Sequence, residues 1–413
     1  MPKELAHFKN FAKLRDTSVA FNDITVIAGK PGTGKSYVMK FMYAWHETLA
    51  QVANKTYLIH YALMDPKKDP LSNIILLRTL ANSVYKNDKD IENIFYLMEQ
   101  GNFIEAKRIF DEKNRNLDES KKIAFDLIEK SLLSLSMKQQ EGLALSSEDA
   151  FKFLFRNILQ SIFGDIEQIS SSIDIVFEKL SFSYSGGEFN FKNIDLNKQA
   201  LNAIFVETPL ILEFEKFLPH ERFGTPYHID SLINYLNTRD YAFTSDEEDK
   251  FVKAFKKSVK SIIKGSISRQ SSGFEFVAED GTTYSAVNTS SGTKSIGLLQ
   301  YLVTNKALKK GSVLYWEEPE VHLHPEWQLR MIELFVELMQ AGVKIVFSTH
   351  SPYMCDYLNA VSKKQKFSDR VSFNLFEERE GVVENHILEN QKDWNKIQSE
   401  LLDPLEEIMW EYV

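Results

Sequence analysis

The chain has 413 residues, 43% of them hydrophobic and 26% charged, with a formal net charge of −9. That length admits one large α/β domain with insertions, or two domains. The acidic balance argues against a protein that coats nucleic acid over its whole surface, yet leaves room for a local basic groove.

A single cysteine, Cys355, excludes an internal disulfide and a cysteine-built metal cluster. The opening residues, MPKELAHFKNF, carry charges where a signal peptide needs an apolar core. No run approaches the ~18 apolar residues of a membrane span. A cytoplasmic chain without a membrane partner is the expectation.

In chain order, residues 1–28 read as strands, with Phe8, Phe11, Leu14, Val19 and Phe21 around polar turns. The run Ile24 to Ala28 is short, apolar and β-branched, as in a buried strand. Gly29-Lys30-Pro31-Gly32-Thr33-Gly34-Lys35-Ser36 follows and fits G-x-x-x-x-G-K-[ST] at every fixed position. Tyr37 to Leu49 has no Gly or Pro and reads as a helix. Strand, glycine loop and helix together turn backbone N–H groups and a helix N-terminus onto phosphate oxygens. Residues 29–36 and Tyr37 are therefore the expected nucleotide contacts, with Lys35 on the β- and γ-phosphates and Ser36 placed for Mg²⁺.

A second strand is expected over Tyr57 to Leu63, and a helical texture from about 71 to 170. One of these helices, from Glu119 to Gly142, carries mixed charge. Another, after Ser146, repeats Phe151, Leu154, Phe155, Ile158, Leu159 and Ile162 on one face. That face reads first as core and second as a docking face for a partner. Strands return from Ile173 to Phe191, with a hairpin turn at Ser185-Gly186-Gly187, and Ala203 to Val206 adds another. Asp246 to Lys264 is an amphipathic helix with Lys253, Lys256, Lys257, Lys260 and Lys264 opposite Phe251, Phe255, Val259 and Ile262. The lysine face reads first as solvated surface and second as a nucleic-acid track.

Three further segments complete a nucleotide site. A hairpin over Phe274 to Tyr284 leads to Asn288-Thr289-Ser290-Ser291-Gly292-Thr293-Lys294-Ser295, a Ser/Gly loop that opens an apolar helix. The cradle at 29–36 is already filled, so this loop is read as addressing a second nucleotide, held by another subunit. Val313 to Trp316 is a strand that ends in Glu317-Glu318-Pro319-Glu320. Two adjacent carboxylates there suit a metal ligand and a general base. Val343 to Phe347 is a strand that ends in Ser348-Thr349-His350, whose histidine can sense or polarise a γ-phosphate. A last helix is expected over Asp393 to Tyr412.

On GKPGTGKS, SSGTK, YWEEPEVHLHP and STHSP, in that order, the chain resembles the ABC-type ATPases of the RecF/SMC branch. It is most similar to stand-alone bacterial ATPases whose relatives occur in anti-phage systems such as Septu, PARIS and retron-linked modules. The resemblance covers about the first 65 residues and 270–385.

It implies an α/β P-loop NTPase with an ABC-type head, a mixed sheet flanked by helices, and a largely helical insertion. The head would comprise 1–65 and 270–390, and the insertion 66–172. Strands at 173–269 would rejoin the head together with the lysine-faced helix, and 391–413 would form a C-terminal helix. It also implies a head dimer with ATP and Mg²⁺ between two copies. Lys35 would hold phosphate, Ser36 and Glu317 the metal, and Glu318 would be the catalytic carboxylate with His350 as its switch. Ser290, Ser291, Gly292 and Lys294 would reach the partner's ATP.

The chain departs from the family in having Glu317 in place of the usual Asp, and Ser291 and Thr293 in the signature. Where the family has a glutamine after its second strand, the Tyr57–Leu63 region offers only His60. The function implied is an ATP-driven switch over a separate nuclease or toxin. The alternatives are a DNA-binding repair or maintenance ATPase, and a P-loop kinase or other small-molecule transferase.

Overall fold

The computed structural model describes residues 4–55, 89–99, 101–113, 122–177, 180–194, 196, 201–214, 225–237, 246–270, 273–388 and 391–402. The chain divides into two units: Met1–Ala50, Phe155–Phe217 and Gly224–Val413 form one, and Gln51–Leu154 with Leu218–Phe223 the other. The strand expected over Tyr57 to Leu63 lies outside the described residues, as do 403–412 of the last helix.

The first unit opens with β1 (Glu4–Phe11), β2 (Leu14–Phe21) and β3 (Ile24–Gly29), and β3 feeds α1 (Lys35–Asn54). All six residues of β3 are buried, as the apolar run requires of a strand inside a parallel sheet.

The second unit holds α2 (Lys89–Glu99), α3 (Phe103–Lys113), α4 (Lys122–Leu143) and the first half of α5 (Ser147–Phe163). Its core follows from helical spacing. Ile91, Ile94, Phe95 and Met98 of α2 pack with Phe103, Ala106 and Phe110 of α3 and Ile128 and Leu132 of α4. The Gln139 side chain accepts from Ile104 N at 2.9 Å and donates to Gly101 O at 3.0 Å, which pins α4 to the α2–α3 turn. On α5, Phe151, Leu154, Phe155, Ile158 and Leu159 are all buried, so that face is core.

The first unit continues with β4 (Ser172–Phe177), β5 (Leu180–Ser185), β6 (Glu188–Lys192), β7 (Ala203–Val206) and the single turn α6 (Ile211–Phe214). Next come α7 (Tyr227–Asn237), α8 (Asp246–Ile263), β8 (Gly265–Gln270), β9 (Gly273–Ala278), β10 (Thr283–Ser285) and α9 (Ser291–Thr304). The chain then runs through β11 (Val313–Trp316), α10 (Pro325–Gln340), β12 (Lys344–Thr349), α11 (Pro352–Lys364), β13 (Val371–Arg379), β14 (Val382–Ile387) and α12 (Gln391–Leu401).

Eleven strands form one mixed sheet in the order β6-β5-β4-β1-β2-β14-β13-β3-β12-β11-β7, while β8, β9 and β10 make a separate antiparallel sheet. The last five of the eleven, β13 to β7, are parallel throughout. Side-chain alternation along these strands covers both faces. Tyr315 of β11 and Phe205 of β7 meet Tyr43 of α1 on one face. Trp316 and Phe347 meet Phe335 of α10 on the other. Strand order reverses around β3, so the C-terminal ends of β3, β12, β11 and β7 open onto the crevice where α/β sheets bind ligands.

Candidate nucleotide site

The loop after β3 curls through positive φ at Gly32 (+78°) and Gly34 (+85°), which glycine adopts without a Cβ penalty. Gly29 (φ +146°) is required for a second reason. A Cβ there would stand 2.4 Å from Phe376 O on the neighbouring β13. Lys35 Nζ folds into this loop and donates to Gly29 O and Lys30 O, both at 2.8 Å. Burial lowers its pKa to about 8, against the pull of Glu318, Glu320 and Glu317. Thr33 Oγ1 donates to Lys30 O at 2.9 Å, and Ser36 is exposed at the start of α1. Pro31 is exposed at the loop's tip, and Lys30 Nζ reaches Glu400 of α12 at 3.2 Å. The exposed Tyr37 ring stacks on Phe163, with centroids 5.6 Å apart.

The acidic end of β11 meets this loop. Burial raises the Glu317 pKa, opposed by the nearby Lys40 ammonium and by a hydrogen bond with the Ser36 side chain. Its Oε1 is shut from solvent without a hydrogen-bond partner. A hydroxyl and a carboxylate with a spare buried oxygen, beside a lysine-lined phosphate loop, fit Mg²⁺ bound to a nucleotide. Among the described residues no group of three or more His, Cys, Asp or Glu could hold a metal ion. The remaining ligands would be phosphate and water.

Glu318 sits in the left-handed region at φ +44°. Its N–H donates to the backbone O and the side-chain Oγ of Ser348, each at 3.2 Å. Its Oε1 lies 2.6 Å from His350 Nε2. Glu320 holds the other side of this corner. Its Oε1 accepts from Thr349 Oγ1 at 2.8 Å and from His350 N at 2.6 Å, and burial pushes its pKa up. The ends of β11 and β12 are thus tied together, with a carboxylate and an imidazole in contact.

The Ser/Gly loop forms a second cluster. Ser290 caps α9, accepting from Thr293 N at 3.3 Å, so the helix begins at Ser291, inside the segment read as a loop through Ser295. Gly292 is buried, and a Cβ there would meet His322 O at 3.1 Å, Leu323 Cδ2 at 3.3 Å and Trp327 Cε3 at 3.4 Å. Ser291 is half-buried, and Lys294 is turned inward onto the Glu213 carboxylate of α6.

One feature had no assigned role in the sequence. Glu207 ends β7, and Glu317 N donates to Val206 O at 2.9 Å, so both acids stand at the same sheet edge. Glu207 accepts from Lys40 Nζ at 3.0 Å and lies 2.9 Å from the buried His228 Nε2. The His228 hydrogen bond and Lys40 hold its pKa down to about 2. The available signal was an acid directly after a four-residue apolar strand, as at Glu317.

A glycine-loop cradle around a buried lysine, on a parallel sheet whose next strands deliver carboxylates and a histidine, defines an α/β protein of the phosphate-loop class. A family model described as an AAA ATPase domain (AAA_15) matches residues 7–355, and the chain belongs to that family. No curated protein matches the chain.

Solved structures that match include the SMC head domain from Thermotoga maritima, with 12% identity, 94% of this chain and 100% of that chain covered, and a TM-score of 0.38. An Smc head bound to the C-winged helix domain of ScpA has 11% identity, coverage of 95% and 99%, and a TM-score of 0.43. A nucleotide-free ATP-binding cassette from an ABC transporter has 11% identity, coverage of 96% and 95%, and a TM-score of 0.37. Among the described residues, no helix is long and apolar enough to cross a membrane.

Proposed function

We propose that the chain binds ATP with Mg²⁺ and hydrolyses it to ADP and phosphate, as a switch that acts on a partner protein. The observation that carries this reading is the contact of Glu318 Oε1 with His350 Nε2 beside the Lys35 loop. Gly29 to Tyr37 bind and orient the triphosphate, and the Lys35 ammonium offsets charge on the β- and γ-oxygens. Ser36 and Glu317 would hold Mg²⁺, which when bound neutralises phosphate charge. Glu318 takes a proton from water as its oxygen attacks the γ-phosphorus and the bond to the bridging oxygen breaks. His350 fixes the direction of that carboxylate, and Glu320 fixes His350.

The exposed Ser290 and half-buried Ser291 are, on this reading, the surface that covers the ATP of a second copy, with Gly292 and the inward-turned Lys294 supporting it from behind, so turnover requires two heads. The output would pass to a separate nuclease or toxin, in a cytoplasmic anti-phage setting. Support for that setting is the motif resemblance alone.

Glu318→Gln is the test. ATP affinity should stay within about threefold, while phosphate release falls by about 10²–10⁴. Unchanged release would sink the assignment. Ser291→Arg should abolish ATP-dependent dimerisation in light scattering; a dimer that persists in the variant would remove the shared-site reading, and a wild type that stays monomeric with ATP would fit a P-loop transferase instead. A second reading, an ATPase of DNA repair or maintenance, is favoured by one observation: the lysine face of α8.

A further inference from the structure

The apolar side of α8 is packed inward along most of its length, with Phe251 and Ile262 half-buried. Phe255, Val259 and Ile263 are buried, and the helix packs against α9, β8 and α10. The opposite side carries Lys250, Lys253, Lys256, Lys257 and Lys260, and Lys264 follows directly after the helix; all six are exposed. Among the described residues, none of these six side chains makes an ion pair. Four of them, 250, 253, 257 and 260, recur at steps of three and four, which keeps them on one line along the helix, and Lys264 follows the helix end at φ +54°. Lys256 flanks that line. At 1.5 Å per residue the row from 250 to 260 is about 15 Å long. The other exposed residues from 250 to 264 are Ala254 and Ser261, so no acid interrupts the row. In a chain of net charge −9, this is a local and one-signed feature.

We propose that this row is a docking surface for the phosphate backbone of duplex DNA. It deepens the DNA-binding part of the second reading given above and rests on that part alone, so it does not depend on ATP turnover. The chemistry narrows the partner in three ways. A membrane-surface helix inserts an exposed apolar face, and here that face packs against α9, β8 and α10. Single strands are held by stacking on exposed aromatic rings, and this row contains none. An A-form RNA duplex is distinguished by its 2′-hydroxyls across a wide, shallow minor groove, for which an all-lysine row offers no acceptor, whereas B-DNA presents a groove about 12 Å wide to a helix edge. Lysines without acceptors or planar forks neutralise phosphates without reading bases, so the binding carries no sequence preference.

The test uses the full chain and a fluorescein-labelled 30-bp duplex, with anisotropy followed from 50 to 200 mM NaCl. Up to six phosphates neutralised gives a log–log salt slope of about −5, a loss of about a thousandfold across that range. Lys253→Gln, Lys257→Gln and Lys260→Gln together should bring the slope to about −3 and weaken binding at 50 mM. A control triple at the end of α11, Lys363→Gln, Lys364→Gln and Lys366→Gln, should leave both unchanged.

The inference is overturned by no wild-type binding at 50 mM, by an unaltered slope in the α8 triple, or by an equal loss in the control. Tighter binding of single-stranded DNA, duplex RNA or phosphatidylserine vesicles also overturns it. The wild-type slope and the duplex preference stand even if a variant misfolds. Phosphate release measured on the same samples separates the two readings. Turnover without DNA binding removes only this inference, and DNA binding without turnover removes only the ATPase.

Discussion

Removing the Glu320 carboxylate should damage both folding and turnover while sparing nucleotide binding. One oxygen of this side chain accepts two hydrogen bonds, from His350 N at 2.6 Å and Thr349 Oγ1 at 2.8 Å, and the other is shut from solvent without a partner. Hydrogen bonds to a charged group contribute about 1.5–3 kcal/mol each, so Glu320→Ala forfeits about 3–6 kcal/mol of gross interaction. Relief of a desolvated carboxylate offsets part of that loss. Thr349 Oγ1 keeps its contact with Ser351 N at 2.9 Å, but His350 N is left unpaired.

The net cost should be about 2–3 kcal/mol, measured by urea unfolding followed through tryptophan fluorescence. Glu320→Gln keeps an accepting oxygen and should cost about 1 kcal/mol. With its backbone anchor gone, His350 drifts from Glu318, and a displacement near 1 Å lowers turnover up to about a hundredfold. ATP affinity should hold, because the Lys35 loop is untouched. An Ala variant as stable as the Gln variant, with wild-type phosphate release, would refute the reasoning.

Two further outcomes follow from the same geometry. Gly29→Ala places a Cβ 2.4 Å from Phe376 O at a φ of +146°, which should cost about 3 kcal/mol in the same unfolding assay; wild-type stability would remove the close approach of β3 to β13. Glu207 has a folded pKa of about 2, below its ordinary 4.5, so its contribution is complete above pH 4.5 and is lost as pH falls toward 2. The side chain is 38% exposed, so screening reduces the effect, and the stability gap between wild type and Glu207→Gln should narrow by about 1 kcal/mol from pH 6 to pH 3; a constant gap would contradict the pairing with His228 and Lys40.

Much of this architecture was legible because it rests on local signals. The β-branched run before Gly29 is β3, the apolar runs before Glu317 and Ser348 are β11 and β12, and Gly186-Gly187 turns the β5–β6 hairpin. These features need only neighbours in the chain. What escaped depends on partners distant in sequence. Glu207 gains its place from lying one strand away from Glu317, 110 residues further along the chain, and from a histidine on α7. The inward turn of Lys294 depends on Glu213, which sits on a single helical turn without periodicity to betray it. β8 received no reading of its own because Gly265 to Gln270 carries only one large apolar residue, Ile267. The lysine face needed the structure to establish that its far side is packed.

The backbone of Glu318 has a consequence for descent. A non-glycine residue at φ +44° carries a conformational cost of about 1–2 kcal/mol, which Gly escapes and Asn tolerates well. Drift that answers only to stability runs toward those two residues. A lineage that no longer needs the carboxylate would therefore be expected to lose it early and gain stability in doing so. Position 318 thus works as a marker among relatives: an acid retained on a strained backbone points to a chain still selected for what that acid does.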